Sequence, residues 1–199
     1  MSVATAYFDQ LFVDNDDPWA FRQRWYEQRK RALTLGLLSK PRYSSIFEPG
    51  CANGELSAEL APRCDQLVCC DTAAKAVALA QARLQGFAHA QVYQSRLPAQ
   101  WPQGRFELIV LSEWCYYLDQ DDLCVLIERA LAALTHDGQV LACHWRPAIK
   151  GCPQTAEQVH QLLHERLGMP RVAQVADSDF LLDLWSRESA SVAHLEGLR

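Results

Sequence analysis

Continuous apolar runs alternate along this chain with segments of helical hydrophobic periodicity. The clearest run, Phe106–Leu111, is typical of a strand that is buried on both faces of a sheet. Shorter β-prone runs cover Ser45–Phe47, Gln66–Cys70, Ala90–Gln94 and Gln139–Cys143. Because helical segments separate these runs, the pattern predicts an α/β fold with a mostly parallel sheet.

The segments between the predicted strands have the composition or the periodicity of helices. The apolar positions of Asp119–Thr135 recur every three or four residues, which predicts an amphipathic helix. Glu55–Leu60, Ala73–Gln85 and Thr155–Leu167 are rich in helix-forming residues. Thr72 is expected to cap the helix that follows it.

The two ends of the chain depart from this alternating pattern. Tyr7–Phe12 is expected to form a short helical turn, and Asp17-Pro18 suits the start of a helix that ends near Leu38. Near the other end, Arg171–Ala176 and Asp179–Trp185 flank a polar turn. That arrangement predicts a terminal antiparallel hairpin.

Length and composition fit one domain. The 199 residues are 49% hydrophobic, which is enough for one full core. We expect a helical cap over residues 1–40, an α/β core over 41–187 and a tail over 188–199. The net charge of −5 argues against a dedicated nucleic-acid binder. No apolar run is long enough to span a membrane, and the N-terminus lacks the features of a secretory signal.

The eight cysteines lack the repeated CxxC spacing of a zinc site. Several of them fall within apolar segments, so we expect small buried thiols in a cytoplasmic protein. His160 and His164 lie one helical turn apart, a spacing that can bind a metal. Because no third ligand lies nearby in the sequence, a surface pair without metal is the preferred interpretation.

The segment Ile46–Asp71 carries the most specific chemistry, since it predicts a strand, a loop with glycines, a helix and a second strand. Gly50 and Gly54 let the backbone turn sharply and lie close to a ligand. Glu48 ends the first strand, where it can accept a hydrogen bond from a ligand amine. Asp71 ends the second strand, where it can accept both hydroxyls of a ribose. The sequence therefore predicts a nucleoside site at the carboxyl ends of these strands.

The loop sequence EPGCANG resembles motif I of the class I S-adenosylmethionine (SAM)-dependent methyltransferases, an acid followed by Gly-x-Gly-x-Gly. Ala52 stands where that pattern has its middle glycine, and the dinucleotide fingerprint G-x-G-x-x-G is absent. The resemblance implies a Rossmann-like methyltransferase fold with a seven-stranded, mostly parallel sheet and a terminal antiparallel hairpin. It also implies SAM as the cofactor, with Cys51 and Ala52 among its contacts.

Five segments spread over most of the chain carry a narrower resemblance: YFDQLF, DPWAFRQRWYEQRKRALTLGLL, IFEPGCANG, FELIVLSEWCYYL and HWRP. Together they look like the nodulation protein S family of small SAM-dependent N-methyltransferases, whose named members methylate a chitooligosaccharide amine. The resemblance implies that Trp25, Tyr26 and Arg29 close the cofactor pocket as part of an N-terminal cap. The alternative is an amphipathic helix that packs on the core with solvated arginines.

Further cofactor contacts are expected at the ends of neighbouring strands. Ser95-Arg96-Leu97 follows the third strand, where methyltransferases often place an acid that binds the adenine amino group. Arg96 occupies that position, so we expect adenine recognition by the backbone of Ser95 and Leu97 or by stacking on Arg96. Thr72 and Ser112 are expected to contact the cofactor as well.

The candidate catalytic residues follow the two central strands. Glu113 is expected to bind a substrate ammonium and to take its proton, and His144 is the alternative base. Each has a structural alternative, a solvated strand-end acid for Glu113 and a core histidine for His144. Tyr117, Trp145 and Arg146 are the candidate acceptor contacts, and Arg146 suits an oxygen-rich or anionic group.

The sequence thus predicts SAM-dependent N-methylation of a small-molecule amine, such as an amino sugar, by in-line attack on the methyl carbon. A non-catalytic SAM-binding or regulatory protein is one alternative, which the departures at Ala52 and Arg96 allow. A nicotinamide-dependent oxidoreductase is the other, and the missing fingerprint and the terminal hairpin disfavour it. The acceptor, its reacting atom and the oligomeric state are left open.

Overall fold

The computed structural model describes all residues from Met1 to Arg199 and places seven strands in one sheet. The strands are β1 (Ile46–Pro49), β2 (Leu67–Asp71), β3 (Ala90–Gln94), β4 (Phe106–Ser112), β5 (Leu134–Trp145), β6 (Arg171–Ala176) and β7 (Phe180–Ser186). Their order across the sheet is β3-β2-β1-β4-β5-β7-β6. β1 to β5 pair in parallel, and β7 is antiparallel to both β5 and β6. The predicted sheet and its terminal hairpin are confirmed.

Helices cover both faces of this sheet. They are α1 (Thr5–Leu11), α2 (Trp25–Leu37), α3 (Glu55–Leu60), α4 (Ala74–Leu84), α5 (Gln120–Ala133), α6 (Ala156–Leu167) and the short α7 (Val192–Leu195). Side chains of α2, α3 and α4 pack in one core layer, and those of α5 and α6 pack in the other. None of these helices combines the length and apolar character that crossing a membrane requires.

The central strand β4 shows how the two layers are built. Leu108 and Val110 pack in the layer of α2, α3 and α4, whereas Ile109 and Leu111 pack in the layer of α5 and α6. All four side chains are inaccessible to solvent. Because successive side chains of a strand point to opposite faces, a strand covered on both sides has a continuous apolar sequence.

The helix expected from Asp17 begins only at Trp25, so its predicted start is wrong. The carboxylate of Asp17 accepts the backbone N–H groups of Phe21 and Arg22 at 2.9 and 3.1 Å, which closes a turn instead of capping a helix. Ala20 has a φ of 58°, a left-handed conformation that interrupts helical geometry.

The expected cap at Thr72 is also wrong. The N-cap residue of α4 is Ala73, and its N–H donates to Oδ1 of Asp71 at 2.9 Å. The hydroxyl of Thr72 instead lies 3.2 Å from that of Thr5, which joins the strand end to α1. Asp71, the last residue of β2, therefore accepts the hydrogen bond that caps the start of α4.

Strand β5 is longer than the run Gln139–Cys143 from which it was predicted. It pairs with β4 from Leu134 onward, and the register shifts between the pairs Phe106–Leu134 and Leu108–Gln139. Asp137 and Gly138 lie in this irregular part of the strand. Such irregularities leave residues unpaired and bend the strand locally.

Candidate active site

The carboxyl ends of β1, β2 and β4 open into a crevice of about 580 Å³. The loops after these strands form its floor, and the N-terminal segment with α2 forms the opposite wall. The predicted site residues that line it are Glu48, Gly50, Cys51, Ala52, Asp71, Thr72, Ser95, Arg96, Leu97, Ser112, Glu113, Tyr117 and Trp145. The structure thus gathers most of the predicted site around one cavity.

Trp25 and Arg29 do not reach this crevice, which corrects their expected place in the cofactor pocket. Trp25 is 73% exposed, and Arg29 pairs with Asp177 at 2.8 Å on the outer side of α2. Tyr26 and Lys30 occupy the inner side. Side chains of successive helical residues differ in direction by about 100°. Tyr26 and Lys30 therefore face the crevice, whereas their neighbours Trp25 and Arg29 do not.

Arg146 also lies outside the crevice, although it was expected to contact the acceptor. Its Nε donates to Glu157 at 2.9 Å, and its Nη1 donates to the carbonyl of Asp177 at 2.7 Å. The guanidinium therefore ties the end of β5 to α6 and to the turn between β6 and β7.

The loop after β1 takes left-handed backbone conformations at three alternate positions. Gly50, Ala52 and Gly54 have φ values of 71°, 48° and 80°. A Cβ on Gly50 would lie 2.9 Å from the indole of Trp114, and one on Gly54 would lie 3.0 Å from Cα of Ala80. Gly54 therefore acts behind the crevice, where it lets α3 approach α4. Ala52 adopts a left-handed conformation that glycine takes more easily, at the position where the methyltransferase motif has its middle glycine.

Asp71 fastens this loop to the end of β2. Its Oδ2 accepts the N–H of Ala52 at 3.0 Å, and its Oδ1 accepts the N–H of Ala73 at 2.9 Å. Burial raises the pKa of the Asp71 carboxyl, and these N–H groups oppose that rise only in part. Since each oxygen keeps a further lone pair, the carboxylate can still accept the two hydroxyls of a ribose.

Glu48 is a second acid in the floor of the crevice, and it is only 3% exposed. Burial raises the pKa of its carboxyl to about 7, although the nearby hydroxyl of Ser57 and the thiol of Cys69 lower it. No lysine, arginine or histidine pairs with Glu48, so its charge is not balanced by the protein. A ligand amine would find an acceptor there.

Lys30 brings a positive charge to the other end of the crevice. Its Nζ donates to Oε1 of Glu113 at 2.6 Å and lies 3.1 Å from Oε2 of Glu27. The ammonium also lies 4.9 Å from the ring centroid of Tyr26. Burial alone would lower the pKa of Lys30, but the facing carboxylates raise it above its usual range. Lys30 is therefore a cation held by two acids.

Glu113 is held in place by further contacts. Its Oε2 accepts the hydroxyl of Tyr116 at 2.7 Å and the backbone N–H of Trp145 at 3.0 Å. Its φ of 63° is unusual for a residue with a side chain. Strained backbone of this kind clusters at functional sites. Three donors, Lys30 included, leave the Glu113 carboxylate one open acceptor position.

His144 is sealed beneath the crevice with no exposed surface. Its Nε2 accepts the N–H of Cys115 at 3.3 Å, and its Nδ1 lies 3.0 Å from Nε2 of His160. Nδ1 of His160 in turn lies 2.7 Å from Asp183. Because the N–H of Cys115 must donate, His144 donates to His160 and His160 donates to Asp183.

This chain of hydrogen bonds corrects the expectation of His144 as the alternative base. Burial and the neighbouring His160 lower the pKa of His144 well below its usual range. The one lone pair of the neutral ring is already occupied, so no acceptor position faces the crevice. His144 is a core histidine that holds the turn after Glu113.

The surface pair expected at His160 and His164 is likewise wrong. His160 is buried between His144 and Asp183, and Nδ1 of His164 accepts the indole N–H of Trp185 at 3.2 Å. The structure contains no group of three or more His, Cys, Asp or Glu side chains placed to hold a metal ion.

Glu27 and Trp114 line the crevice but were not singled out by the sequence pattern. Glu27 is 7% exposed. Its spacing from Lys30 is the only signal available, and the same spacing suits a surface ion pair. Trp114 covers Gly50, a contact that no local pattern reveals.

Several buried polar atoms of crevice residues have no protein partner. They are the hydroxyl of Tyr26, Oδ1 of Asn53 and the indole nitrogen of Trp114. Buried polar groups are normally satisfied, so these atoms suit a bound ligand. Together with the acids Asp71 and Glu48, they fit a nucleoside that carries an amine.

The sheet order and the position of the crevice define the class of protein. The N-methyltransferase NodS from Bradyrhizobium japonicum, in complex with S-adenosylhomocysteine (SAH), superposes with a TM-score of 0.83 at 26% identity, over 92% of this chain and 97% of that one. The chain has the fold of the class I SAM-dependent methyltransferases. The family model for nodulation protein S (NodS) matches residues 9–177, so the chain belongs to the nodulation protein S family.

Other relatives agree with this assignment. Nodulation protein S from Sinorhizobium fredii is 31% identical over 105 residues, which are 52% of this chain and 49% of that protein. A candidate methyltransferase from Pseudomonas syringae is 61% identical, with a TM-score of 0.75 over 82% of this chain and 99% of that one. The chain spans about half the length of the first two curated relatives it matches, 49% and 54%.

Proposed function

We propose that this protein transfers a methyl group from SAM to the nitrogen of a small-molecule amine such as an amino sugar. The observation that carries the proposal is the ammonium of Lys30, which Glu27 and Glu113 hold beside the nucleoside crevice. Because these two carboxylates already hold one primary ammonium, they also suit the ammonium group of an amine acceptor. The Bradyrhizobium japonicum relative is itself an N-methyltransferase.

The floor of the crevice would hold SAM. In this proposal Asp71 accepts the ribose hydroxyls, Glu48 accepts the amine of the methionine part, and residues 95–97 flank the adenine. Arg24 lines the crevice where Arg29 does not, so it is placed to bind the methionine carboxylate. Bound SAM supplies a methyl group on a sulfonium, which leaves as a neutral thioether. The protein therefore has to align and desolvate the acceptor and remove its proton.

The acceptor end is walled by aromatic side chains. The rings of Tyr26 and Trp145 meet edge to face at 5.3 Å, and Tyr117 packs against Phe8 at 4.9 Å. Aromatic faces suit both the apolar face of a sugar ring and an alkylammonium group.

We also place the protein in the cytoplasm, since all eight cysteines are free thiols and six of them are buried.

The proposal is tested with SAM that carries a ¹³C-methyl group and a fully de-N-acetylated glucosamine oligosaccharide. The matched control acceptor is the same oligosaccharide with every amine acetylated, which keeps the hydroxyls and removes the nucleophilic nitrogen. We expect an N-methyl NMR signal with the free amine and none with the control. Equal methylation of both acceptors would show an oxygen acceptor and contradict the proposal.

A further inference from the structure

We infer that Glu27 is the catalytic base, which takes the acceptor proton, and that Glu113 orients the acceptor nitrogen. The inference deepens the proposed function and rests on it. It divides between two carboxylates the roles that the sequence assigned to Glu113 alone.

The contacts of Glu113 suit an orienting group. Lys30 donates to one oxygen at 2.6 Å, and Tyr116 and the N–H of Trp145 donate to the other at 2.7 and 3.0 Å. Protonation of this carboxylate would weaken the hydrogen bonds that it accepts from these donors, or would break one of them. The remaining acceptor position can receive one N–H of the acceptor and fix its direction.

The contacts of Glu27 leave it free to accept a proton. Its only side-chain partner is Lys30, at 3.1 Å from one oxygen and 3.3 Å from the other. Lone pairs on both oxygens therefore remain open. Glu27 lines the crevice on the inner face of α2, opposite the turn that carries Glu113.

The surroundings of Glu27 also favour proton uptake. Burial raises the pKa of its carboxyl, and Glu113 adds to this effect, while Lys30 and Arg31 oppose it without cancelling it. An acid with a raised pKa is a stronger base than an exposed glutamate. The titratable and charged groups that face it are Tyr26, Lys30 and Arg31 on its own helix, Glu113 after β4 and Cys143 on β5.

The charge balance attracts a second cation. When Glu27 is ionised, the two carboxylates share the single positive charge of Lys30, which leaves one negative charge in a largely buried site. A cationic acceptor is drawn to that charge more strongly than a neutral one, because the water that would screen it is excluded. The acceptor nitrogen then lies beside Lys30 and between the acids.

The proposed step is balanced in protons and electrons. The acceptor enters as an ammonium, and one of its protons passes to the carboxylate of Glu27. The nitrogen pair set free forms the N–C bond to the methyl group as the C–S bond breaks, and the electron pair of that bond stays on sulfur. Glu27 then releases its proton through the mouth of the crevice.

The test compares Glu27→Gln and Glu113→Gln, with Glu128→Gln on the exposed face of α5 as the matched control. Methyl transfer to the glucosamine oligosaccharide is measured at saturating acceptor from pH 5 to 9, so that the profile of kcat reports groups of the bound complex. We expect Glu27→Gln to lower kcat by roughly 10²- to 10⁴-fold and to shift the loss of activity at low pH to higher pH, because the acceptor ammonium then has to lose its proton without the carboxylate. Glu113→Gln should raise KM and lower kcat but keep that acidic limb.

SAH titration of each variant shows whether the cofactor site is intact, and we expect affinities close to that of the unaltered protein. Should Glu27→Gln fail to bind SAH, Glu27→Ala with added formate replaces it. Restoration of the rate by formate in Glu27→Ala but not in Glu113→Ala supports the inference, and the reverse overturns it.

Different results would overturn the role of Glu27 and the proposed function. An unchanged kcat and acidic limb in Glu27→Gln, with an active unaltered protein, overturn the role of Glu27 alone. Absence of methyl transfer by the unaltered protein to the free amine overturns the proposed function, and the inference falls with it.

Discussion

Nζ of Lys30 lies 2.6 Å from Oε1 of Glu113, a contact that joins the N-terminal helix α2 to the turn after the central strand β4. The two residues are far apart in sequence, and both side chains are largely buried. The contact fixes the wall of the crevice to its floor at the end that we propose for the acceptor. Breaking a buried pair by removing one partner leaves an unpaired charge, which is costly.

The Lys30–Glu113 pair should therefore matter to both stability and activity. We expect Lys30→Met to lower the free energy of unfolding by about 3 kcal/mol, because two buried carboxylates lose their cation. The measurement is urea denaturation, with Lys75→Met as the control, since Lys75 forms an exposed ion pair with Asp16. Equal stability of both variants would show that the pair is not a stabilising contact.

Glu48 gives the protein a pH-dependent stability. Its folded pKa of about 7 lies above the ordinary glutamate value of 4.5, so the folded state binds more protons between these values. Stability should therefore fall as the pH rises from about 4.5 to 7, by up to about 3 kcal/mol. Urea denaturation of Glu48→Gln at pH 5 and pH 8 checks this, since the variant should lose that part of the slope and be the more stable protein at pH 8. An unaltered slope in the variant would refute the assignment.

His144 should be structural. His144→Phe leaves the N–H of Cys115 and the ring of His160 without partners, so we expect a loss of about 2 to 4 kcal/mol in unfolding free energy. Once folded, the variant should keep the pH profile of kcat. A shift of the acidic limb of that profile to higher pH, with SAH binding intact, would restore His144 as the base.

Two substitutions in the loop after β1 should have opposite effects on the stability of the protein. Ala52→Gly should stabilise the protein by about 1 kcal/mol, because glycine adopts the left-handed conformation without steric cost. Gly50→Ala should destabilise it and weaken SAH binding, because its Cβ would lie 2.9 Å from the indole of Trp114. Thermal unfolding and SAH titration measure both effects, and a destabilising Ala52→Gly would contradict the strain at this position.

The fold could be predicted because its signals are local. Phe106–Leu111 has a continuous apolar sequence since both of its faces are covered, and Thr155 forms a complete capping box with Gln158 at the start of α6. The start of α2 has no such signal. Asp17 is engaged by Asn53, whose Nδ2 donates to it at 3.0 Å from a distant loop, and Ala20 interrupts the helix.

The sequence predicted the site residues that directly follow strand ends. It did not predict the roles of residues whose surroundings depend on tertiary packing. Gly50, Asp71 and Glu113 share the crevice because the carboxyl ends of parallel strands lie side by side. Glu27 and His144 required the structure, because burial and hydrogen-bond partners distinguish a functional side chain from a structural one. Those contacts come from elements that are distant in sequence.

The most direct test of the cofactor site is calorimetric titration of the purified protein and of Asp71→Ala with SAH, with NADH as the control ligand. We expect SAH to bind the unaltered protein and NADH not to bind. Asp71→Ala should lose at least about 100-fold in affinity, since two charge-assisted hydrogen bonds to the ribose are removed together with the contacts that hold Ala52 and Ala73. Failure of the folded, unaltered protein to bind SAH, or equal binding by the variant, would contradict the assignment of this crevice as the cofactor site of a SAM-dependent methyltransferase.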